Sequence, residues 1–135
     1  MENLNVLHQR NNPYFFLIMV LVCLISCYKV ERDCINFHTG EFEFSSIVNG
    51  TLKTSYFKRT EKLEIETYEG KIDSASIRWV NDCECILTKL NPVSNQDKRP
   101  VQIKILSTTA DTYVFEYSMV GKADNKQRGT IKKVN

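Results

Sequence analysis

No hydrophobic run in this 135-residue chain is as long as a membrane-spanning helix requires. The longest apolar block covers residues 15–25, which is eleven residues, whereas a spanning helix needs about 20. A block of this length matches the apolar region of a secretory signal, which covers roughly 7–15 residues. The sequence therefore predicts an exported chain and not a transmembrane helix.

The chain also lacks an excess of charge of either sign. It contains 18 lysines and arginines against 16 aspartates and glutamates, a formal net charge of +2. Proteins that bind nucleic acid usually carry a clustered basic surface. We therefore expect no nucleic-acid partner.

Catalytic and metal-binding motifs are missing as well. His38 is the only histidine after the apolar block. There is no Gly-x-Ser-x-Gly, no glycine-rich phosphate loop and no His-Glu-x-x-His. The spacing of Cys83 and Cys85 is shorter than the Cys-x₂₋₄-Cys of structural zinc sites. We therefore expect no enzyme activity, no metal and no cofactor.

The apolar block ends in a sequence that is typical of a bacterial lipoprotein signal. Leu24, Ile25 and Ser26 precede Cys27, which is the residue such a signal prepares for acylation. We expect residues 1–26 to be removed as a signal peptide, Cys27 to carry the lipid and residues 27–33 to form a tether. The alternative is an uncleaved N-terminal anchor. Because two or more acyl chains give stable anchoring, the motif predicts a membrane-anchored protein of the cell envelope, on its periplasmic or surface face.

The five cysteines have different predicted roles. Cys23 leaves with the signal and Cys27 takes the lipid, so Cys34, Cys83 and Cys85 remain in an oxidising compartment. Cys83 and Cys85 point the same way on a predicted strand and cannot easily bridge each other. One disulfide therefore joins Cys34 to Cys83 or Cys85, and we favour Cys83. Closing a loop of roughly 50 residues contributes about 2–4 kcal/mol. Cys85 is then a buried small hydrophobic residue or, alternatively, a reactive thiol.

Residues 34–135 alternate with period two and sustain no helical periodicity, which predicts a single all-β domain. Strands are predicted at 40–45, 52–59, 62–68, 74–80, 82–90, 101–106, 112–120 and 128–134. Turn signals such as Asn49-Gly50 separate them. Eight short strands at this spacing favour an antiparallel meander that forms a small lipocalin-like barrel or sandwich, preceded by the N-terminal signal segment.

The alternation also predicts which side chains face the interior. In strand 62–68, Leu63 and Ile65 are expected to point inward, and Glu64 and Glu66 toward solvent. Aromatic residues on the inner faces either line a pocket for an apolar ligand or fill the barrel as its core. The candidate ligand-lining residues are Phe42, Phe44, Trp79, Tyr113, Phe115 and Tyr117.

Parts of this sequence resemble a known group of proteins. The similar segments are Cys34 followed after five residues by Gly40-Glu41-Phe42, Arg59 followed after four residues by Glu64, and the run from Trp79 to Leu87. Together they resemble small uncharacterised lipoproteins of Bacteroidetes, over most of the mature chain. In that group the position of Cys85 looks more often aromatic, which supports Cys34–Cys83 as the disulfide. The resemblance implies no established activity. The topoisomerase IV subunit label that similar chains sometimes carry has no support in a chain of this size.

The sequence as a whole predicts a non-catalytic, lipid-anchored envelope protein that binds a small apolar ligand or a partner protein. The alternative is a structural or interaction lipoprotein with a filled core and no ligand. In both cases the N-terminal lipid is the predicted contact with the membrane.

Overall fold

The computed structural model describes residues 32–122 and 124–135. The predicted signal segment (residues 1–26), the predicted lipidation site Cys27 and residues 28–31 of the tether lie outside the described residues. In the described part of the chain, no helix has the length and hydrophobicity needed to cross a membrane.

The described residues form eight antiparallel strands after a short 3₁₀ helix. The helix is η1 (Ile35–Phe37), and the strands are β1 (Gly40–Val48), β2 (Thr51–Arg59), β3 (Leu63–Tyr68), β4 (Lys71–Asn81), β5 (Glu84–Lys89), β6 (Val101–Thr108), β7 (Thr112–Met119) and β8 (Gln127–Lys133). Each strand pairs with its neighbour in sequence, and β8 pairs with β1, so the sheet closes into a barrel. The predicted antiparallel meander is therefore confirmed, as a barrel.

Two tight turns follow directly from local sequence. Asn49 and Gly50 connect β1 to β2 with φ values of 51° and 77°, and Glu69 and Gly70 connect β3 to β4 with 48° and 76°. Two successive residues with positive φ make the two-residue hairpin turn whose twist matches that of the flanking strands. The register within each of these two hairpins is thereby set by a few local residues.

The two ends of the barrel differ in what covers them. The end that carries the Asn49–Gly50 turn, the Glu69–Gly70 turn, the loop between β5 and β6 and the loop between β7 and β8 is named the mouth. The opposite end, named the base, carries residues 32–39, the C-terminus and the other three connections. Because the number of strands is even, the start and the end of the domain both lie at the base.

The interior of the base is filled by aromatic and aliphatic side chains. Phe37 is 0% exposed, and Phe42, Tyr113 and Ile105 are each 1% exposed. The Phe37 ring lies 5.1 Å from the Tyr113 ring, and the Phe42 ring lies 5.1 Å from the Phe57 ring. Residues 35–37 therefore act as a plug that inserts Phe37 into the end of the barrel.

Strand β3 faces the opposite way from the prediction. Glu64 pairs with Arg59 across the sheet and Glu66 pairs with Phe57, and both of these β2 residues point inward. Ile65, in contrast, is 40% exposed on the outer surface. The prediction that Glu64 and Glu66 face solvent on the outside is wrong. The inward and outward positions of β3 alternate one residue out of step with the prediction, and such a displacement exchanges the two faces of a strand.

The predicted disulfide is confirmed. Cys34, just before η1, is bonded to Cys83, and their Cα atoms lie 5.1 Å apart. Cys83 precedes β5, which begins at Glu84 and not at residue 82 as predicted. Cys85 is a free cysteine and is 1% exposed, in agreement with its interpretation as a buried small residue.

Candidate functional site

The open half of the barrel contains three clefts at the mouth, and the two that share acidic residues form the candidate site. Each has a volume of about 300 Å³. Glu66 and Asp73, which point inward from β3 and β4, line both clefts. The mouth is therefore one continuous candidate site with two parts.

The first cleft has an apolar wall opposite an acidic one. Ala75, Leu87, Val101 and Met119 supply the apolar wall from β4, β5, β6 and β7. Glu64, Glu66 and Asp73 supply the carboxylates, and Gln96, Asp97 and Arg99 of the loop between β5 and β6 lie at its edge. A site with one apolar wall and a few polar groups is typical of small-molecule binding.

The second cleft is more polar and lies against β1, β2 and β3. Phe44, Ser46, Ser55 and Tyr68 line it, with Lys53 and Lys71 at its rim. Ser55 is only 4% exposed. Among the described residues no side-chain hydrogen bond includes the Ser55 hydroxyl, which opens onto the cleft and can bind a group that enters it.

Two of the lysines at the mouth form ion pairs with carboxylates of the protein. Lys89 Nζ lies 2.9 Å from Asp73 and 3.8 Å from Asp97, and the hydrogen bond with Asp73 raises the pKa of Lys89. Lys53 binds Glu69, which raises the pKa of Lys53. Glu66 differs from these acids, because none of the ion pairs among the described residues includes it, although its charge also helps to raise the pKa of Lys89.

A buried arginine lies beneath the mouth. Arg59 is 3% exposed, and its Nε and Nη2 donate to the same Glu64 oxygen at 2.8 and 2.7 Å. Nη2 also donates to the Tyr113 hydroxyl, and Nη1 donates to the Phe37 carbonyl, each at 3.1 Å. Its guanidinium also lies 5.1 Å from the centre of the Phe42 ring. Four of the five N–H groups of this side chain are thus used inside the protein.

Electrostatics in this cluster follow from burial and charge. Burial alone lowers the pKa of Arg59, but the neighbouring Tyr113 and Glu64 outweigh it and raise the pKa above its ordinary value. Burial raises the pKa of Tyr113 to about 12 and that of Cys85 to about 11. At neutral pH the arginine is charged and both acids are protonated, so the Cys85 thiol is not poised as a nucleophile.

His38 and Trp79 meet at the base and not at the mouth. Their rings stack with centroids 3.5 Å apart, and His38 Nε2 lies 2.8 Å from the Asp82 carbonyl oxygen. The buried Trp79 Nε1 has no hydrogen-bond partner among the described residues. This pair covers the disulfide side of the base and is separate from the two clefts.

The six predicted ligand-lining residues lie in different environments. Phe42, Tyr113 and Phe115 pack within the core of the base. Phe44 lines the second cleft, and Tyr117 lines a third cleft of about 300 Å³ near the loop between β7 and β8. Trp79 stacks on His38. The structure therefore brings two of the six to cavities at the mouth.

Sequence reasoning missed the polar residues of the mouth. Ser55, Glu66 and Asp73 alternate with other residues on strands, and polar residues in such a pattern are usually assigned to the outer face. The signal that could have located them is Arg59. An arginine that points inward needs a carboxylate on the adjacent strand, and this requirement decides which residues of β3 face inward.

The described part of the chain contains no group of three or more histidines, cysteines, aspartates or glutamates arranged to hold a metal ion. Comparison of the chain with protein-family models, with curated proteins and with solved structures gives no match. The mouth of the barrel is therefore identified as the candidate site from the geometry of its clefts alone.

Proposed function

We propose that this protein is a non-catalytic lipoprotein of the cell envelope, anchored through Cys27, whose barrel mouth binds a small ligand. Under this proposal it belongs with the small Bacteroidetes lipoproteins that it resembles. The N-terminal lipid is its contact with the membrane. The mouth carries the binding function, and the plugged base gives the barrel its stability.

One observation carries this proposal: half of the barrel interior is packed, and the other half is open. The open half offers a cleft of about 300 Å³ in which Leu87, Val101 and Met119 face Glu66. This volume is at the lower end of known small-molecule sites. A ligand with an apolar portion that lies along the aliphatic wall fits this arrangement.

A non-catalytic role is supported by the placement of the groups that usually perform catalysis. His38 is stacked on Trp79 at the base, away from the clefts. Cys85 is buried, and its raised pKa keeps it a neutral thiol at physiological pH. Neither side chain shares a cavity with the carboxylates of the mouth.

The alternative is a structural or interaction lipoprotein with a filled core and no ligand. The packed base favours it, because Phe42, Tyr113 and Phe115 are each 5% exposed or less and occupy the space where a deep ligand would lie. Under this alternative the mouth clefts contain only water and the protein works through its outer surface.

Native mass spectrometry of the mature protein purified from its own host tests the proposal. A ligand that copurifies with the protein, and is lost when the cleft is filled by Ala75→Leu, is the expected result. Ala110→Leu is the matched control, because Ala110 is exposed in a turn at the base. A spectrum of bare protein, together with no change on Ala75→Leu, favours the alternative with a filled core.

A further inference from the structure

Two polar groups without protein partners lie next to each other in the mouth. Ser55 and Glu66 both point inward from adjacent strands, and the register pairs Ser55 with Tyr68 and Phe57 with Glu66. They are therefore diagonal neighbours on one face, with Cα atoms about 7–8 Å apart and side chains that can converge. One small head group can contact both.

The burial of Ser55 distinguishes the pair of Ser55 and Glu66 from the carboxylates that line the first cleft. The residue is 4% exposed, and its hydroxyl lies on the wall of the second cleft. Among the described residues it has no hydrogen-bond partner. Because Trp79 Nε1 is the only buried unpaired polar side-chain atom among the described residues, the Ser55 hydroxyl opens onto the cleft, where a ligand can replace water as its partner.

The chemistry of the pair specifies the kind of head group. An ionised carboxylate only accepts hydrogen bonds, and a serine hydroxyl can accept as well as donate. We infer that the mouth recognises a small molecule with a protonated amine, whose N–H groups donate to Ser55 and Glu66. The apolar body of that molecule lies along Leu87 and Met119 in the first cleft. This inference rests on the proposed ligand-binding function and names the ligand class.

The protein's own cations leave this position open. Lys89 binds two aspartates and Lys53 binds Glu69. Lys71 and Arg99 are exposed at the rim, where water and salt screen their charge. Lys89 also interacts electrostatically with Glu66, but its ion pairs are with Asp73 and Asp97, so an incoming ammonium group can make the direct contact with the Glu66 carboxylate.

Four probes of equal chain length separate charge from hydrogen bonding. Hexylammonium has both a positive charge and N–H donors, and hexyltrimethylammonium has the charge without donors. Hexanoate has the opposite charge, and hexanol has none. Titration of the mature protein with each probe, followed by amide NMR shifts, gives four dissociation constants and locates the binding surface.

Hexylammonium is expected to bind about threefold to tenfold more tightly than hexyltrimethylammonium, because its complex contains one or two additional hydrogen bonds. Glu66→Gln should weaken its binding about fivefold, in line with the loss of a half-exposed ion pair. Ser55→Ala should reduce the difference between the two cations. The matched controls are Glu43→Gln and Ser45→Ala, which remove the same groups from the outer face of β1.

Equal binding of the two cations, or equal loss of affinity in the control variants, would overturn the inference. Preferred binding of hexanoate or hexanol in the clefts would overturn it too, but would leave a ligand-binding mouth in place. If none of the probes binds, the amine class is wrong, and copurification from the host then decides separately whether the mouth has a ligand. The comparison of the four probes on the unaltered protein remains decisive even if Glu66→Gln fails to fold.

Discussion

Arg59 is the residue on which the interior of the barrel depends. It joins β2 to Glu64 of β3, to the Phe37 carbonyl of the plug and to the Tyr113 hydroxyl of β7. Burying a charge is costly unless it is paired and hydrogen-bonded. The ion pair with Glu64 therefore compensates the burial of both charges, and removal of either partner leaves the other without compensation.

Arg59→Met is expected to lower the free energy of unfolding by about 3–5 kcal/mol, because the Glu64 carboxylate then remains in the interior without a cation. The double variant Arg59→Met/Glu64→Gln should recover part of this loss, since it removes both charges. Urea unfolding at pH 7 measures all three proteins.

Lys58→Met is the matched control for this prediction. Lys58 is the preceding residue of β2, its side chain is 68% exposed, and it pairs with Glu41 on the outer surface. Its replacement should change stability by about 1 kcal/mol or less. Equal losses from Lys58→Met and Arg59→Met would contradict a special role of the buried arginine.

Cys85 and Tyr113 predict how stability depends on alkaline pH. Burial raises the pKa of Cys85 from 9.0 to about 11 and that of Tyr113 from 10.0 to about 12. Each group stabilises the folded state fully below its unfolded pKa, and this contribution is lost as the pH rises through its folded pKa. Stability should therefore fall from about pH 9 upward.

Cys85→Ala separates the two contributions. The variant should be less stable at neutral pH, because it leaves a small cavity, but its stability should be flat between about pH 9 and pH 10. The decline above pH 10 should persist through Tyr113. Stopped-flow unfolding and refolding rates measure this before thiol–disulfide exchange proceeds. A variant with the same decline from pH 9 as the parent protein would rule out the thiol as its source.

At the scale of single elements, β8 closes the barrel through a glycine that leaves room for two aromatic rings. Gly129 faces the interior between two aromatic rings, and a Cβ atom there would lie 2.8 Å from Phe115 and 2.8 Å from Phe44. Both distances are far shorter than a normal contact. The missing side chain allows the rings of β1 and β7 to meet across β8.

Gly129→Ala is expected to destabilise the protein by about 1–3 kcal/mol, the usual cost of forcing extra atoms into a packed site. Thr130→Ala is the control in the next position of β8, where the side chain is exposed. Thermal unfolding of both variants tests this. A stable Gly129→Ala barrel with an unchanged melting temperature would show that the rings have room to move.

The plug at the base is an element that depends on a covalent bond. Residues 34–38 are held by the Cys34–Cys83 disulfide, by the stacking of His38 on Trp79 and by the burial of Phe37. A 3₁₀ helix of three residues has no stability of its own in water. The disulfide therefore keeps the plug in position over the barrel end.

Replacing Cys34 and Cys83 with serine should lower the free energy of unfolding by about 2–4 kcal/mol. Alkylation of the unfolded, unreduced mature protein should modify Cys85 and neither of the other two, as intact mass would show. Three alkylated thiols among Cys34, Cys83 and Cys85 would contradict the disulfide.

At the scale of the whole molecule, the barrel has one packed end and one open end. The described chain enters at the base, where Asp33 donates from its backbone to the Thr108 hydroxyl and Cys34 is covalently bound. The clefts lie at the other end. Stability and binding are therefore served by opposite halves of the same sheet, and substitutions in the mouth should affect stability less than substitutions in the base.

Cys27→Ser tests the proposed anchoring. Without the thiol that accepts the lipid, the chain should remain unprocessed or be released from the membrane fraction. Membrane fractionation and intact mass of the wild-type and Cys27→Ser proteins measure this. Cys23→Ser is the matched control, because that cysteine lies inside the predicted signal. A Cys27→Ser protein that is still processed at residue 26 and still sediments with membranes would contradict the lipoprotein proposal.

Much of the fold was predictable because its determinants are local. All eight strands were predicted, since alternation and turn residues such as Asn49-Gly50 act over a few positions. The choice of Cys83 for the disulfide was also correct. The candidate site was not predictable in the same way: the sequence pattern assigns no role to Ser55, places Glu66 toward solvent and so inverts the face of β3.

Sequence alone determined the eight strands, the turns between them and the pool of three cysteines that could form a bridge, because these depend on neighbours along the chain. Tertiary structure alone decided which face of β3 points inward and which half of the barrel stays open. The physical reason is that Arg59 is buried by residues distant in sequence and requires Glu64 beside it. Once Glu64 faces inward, the period of two along a strand places Glu66 in the mouth as well.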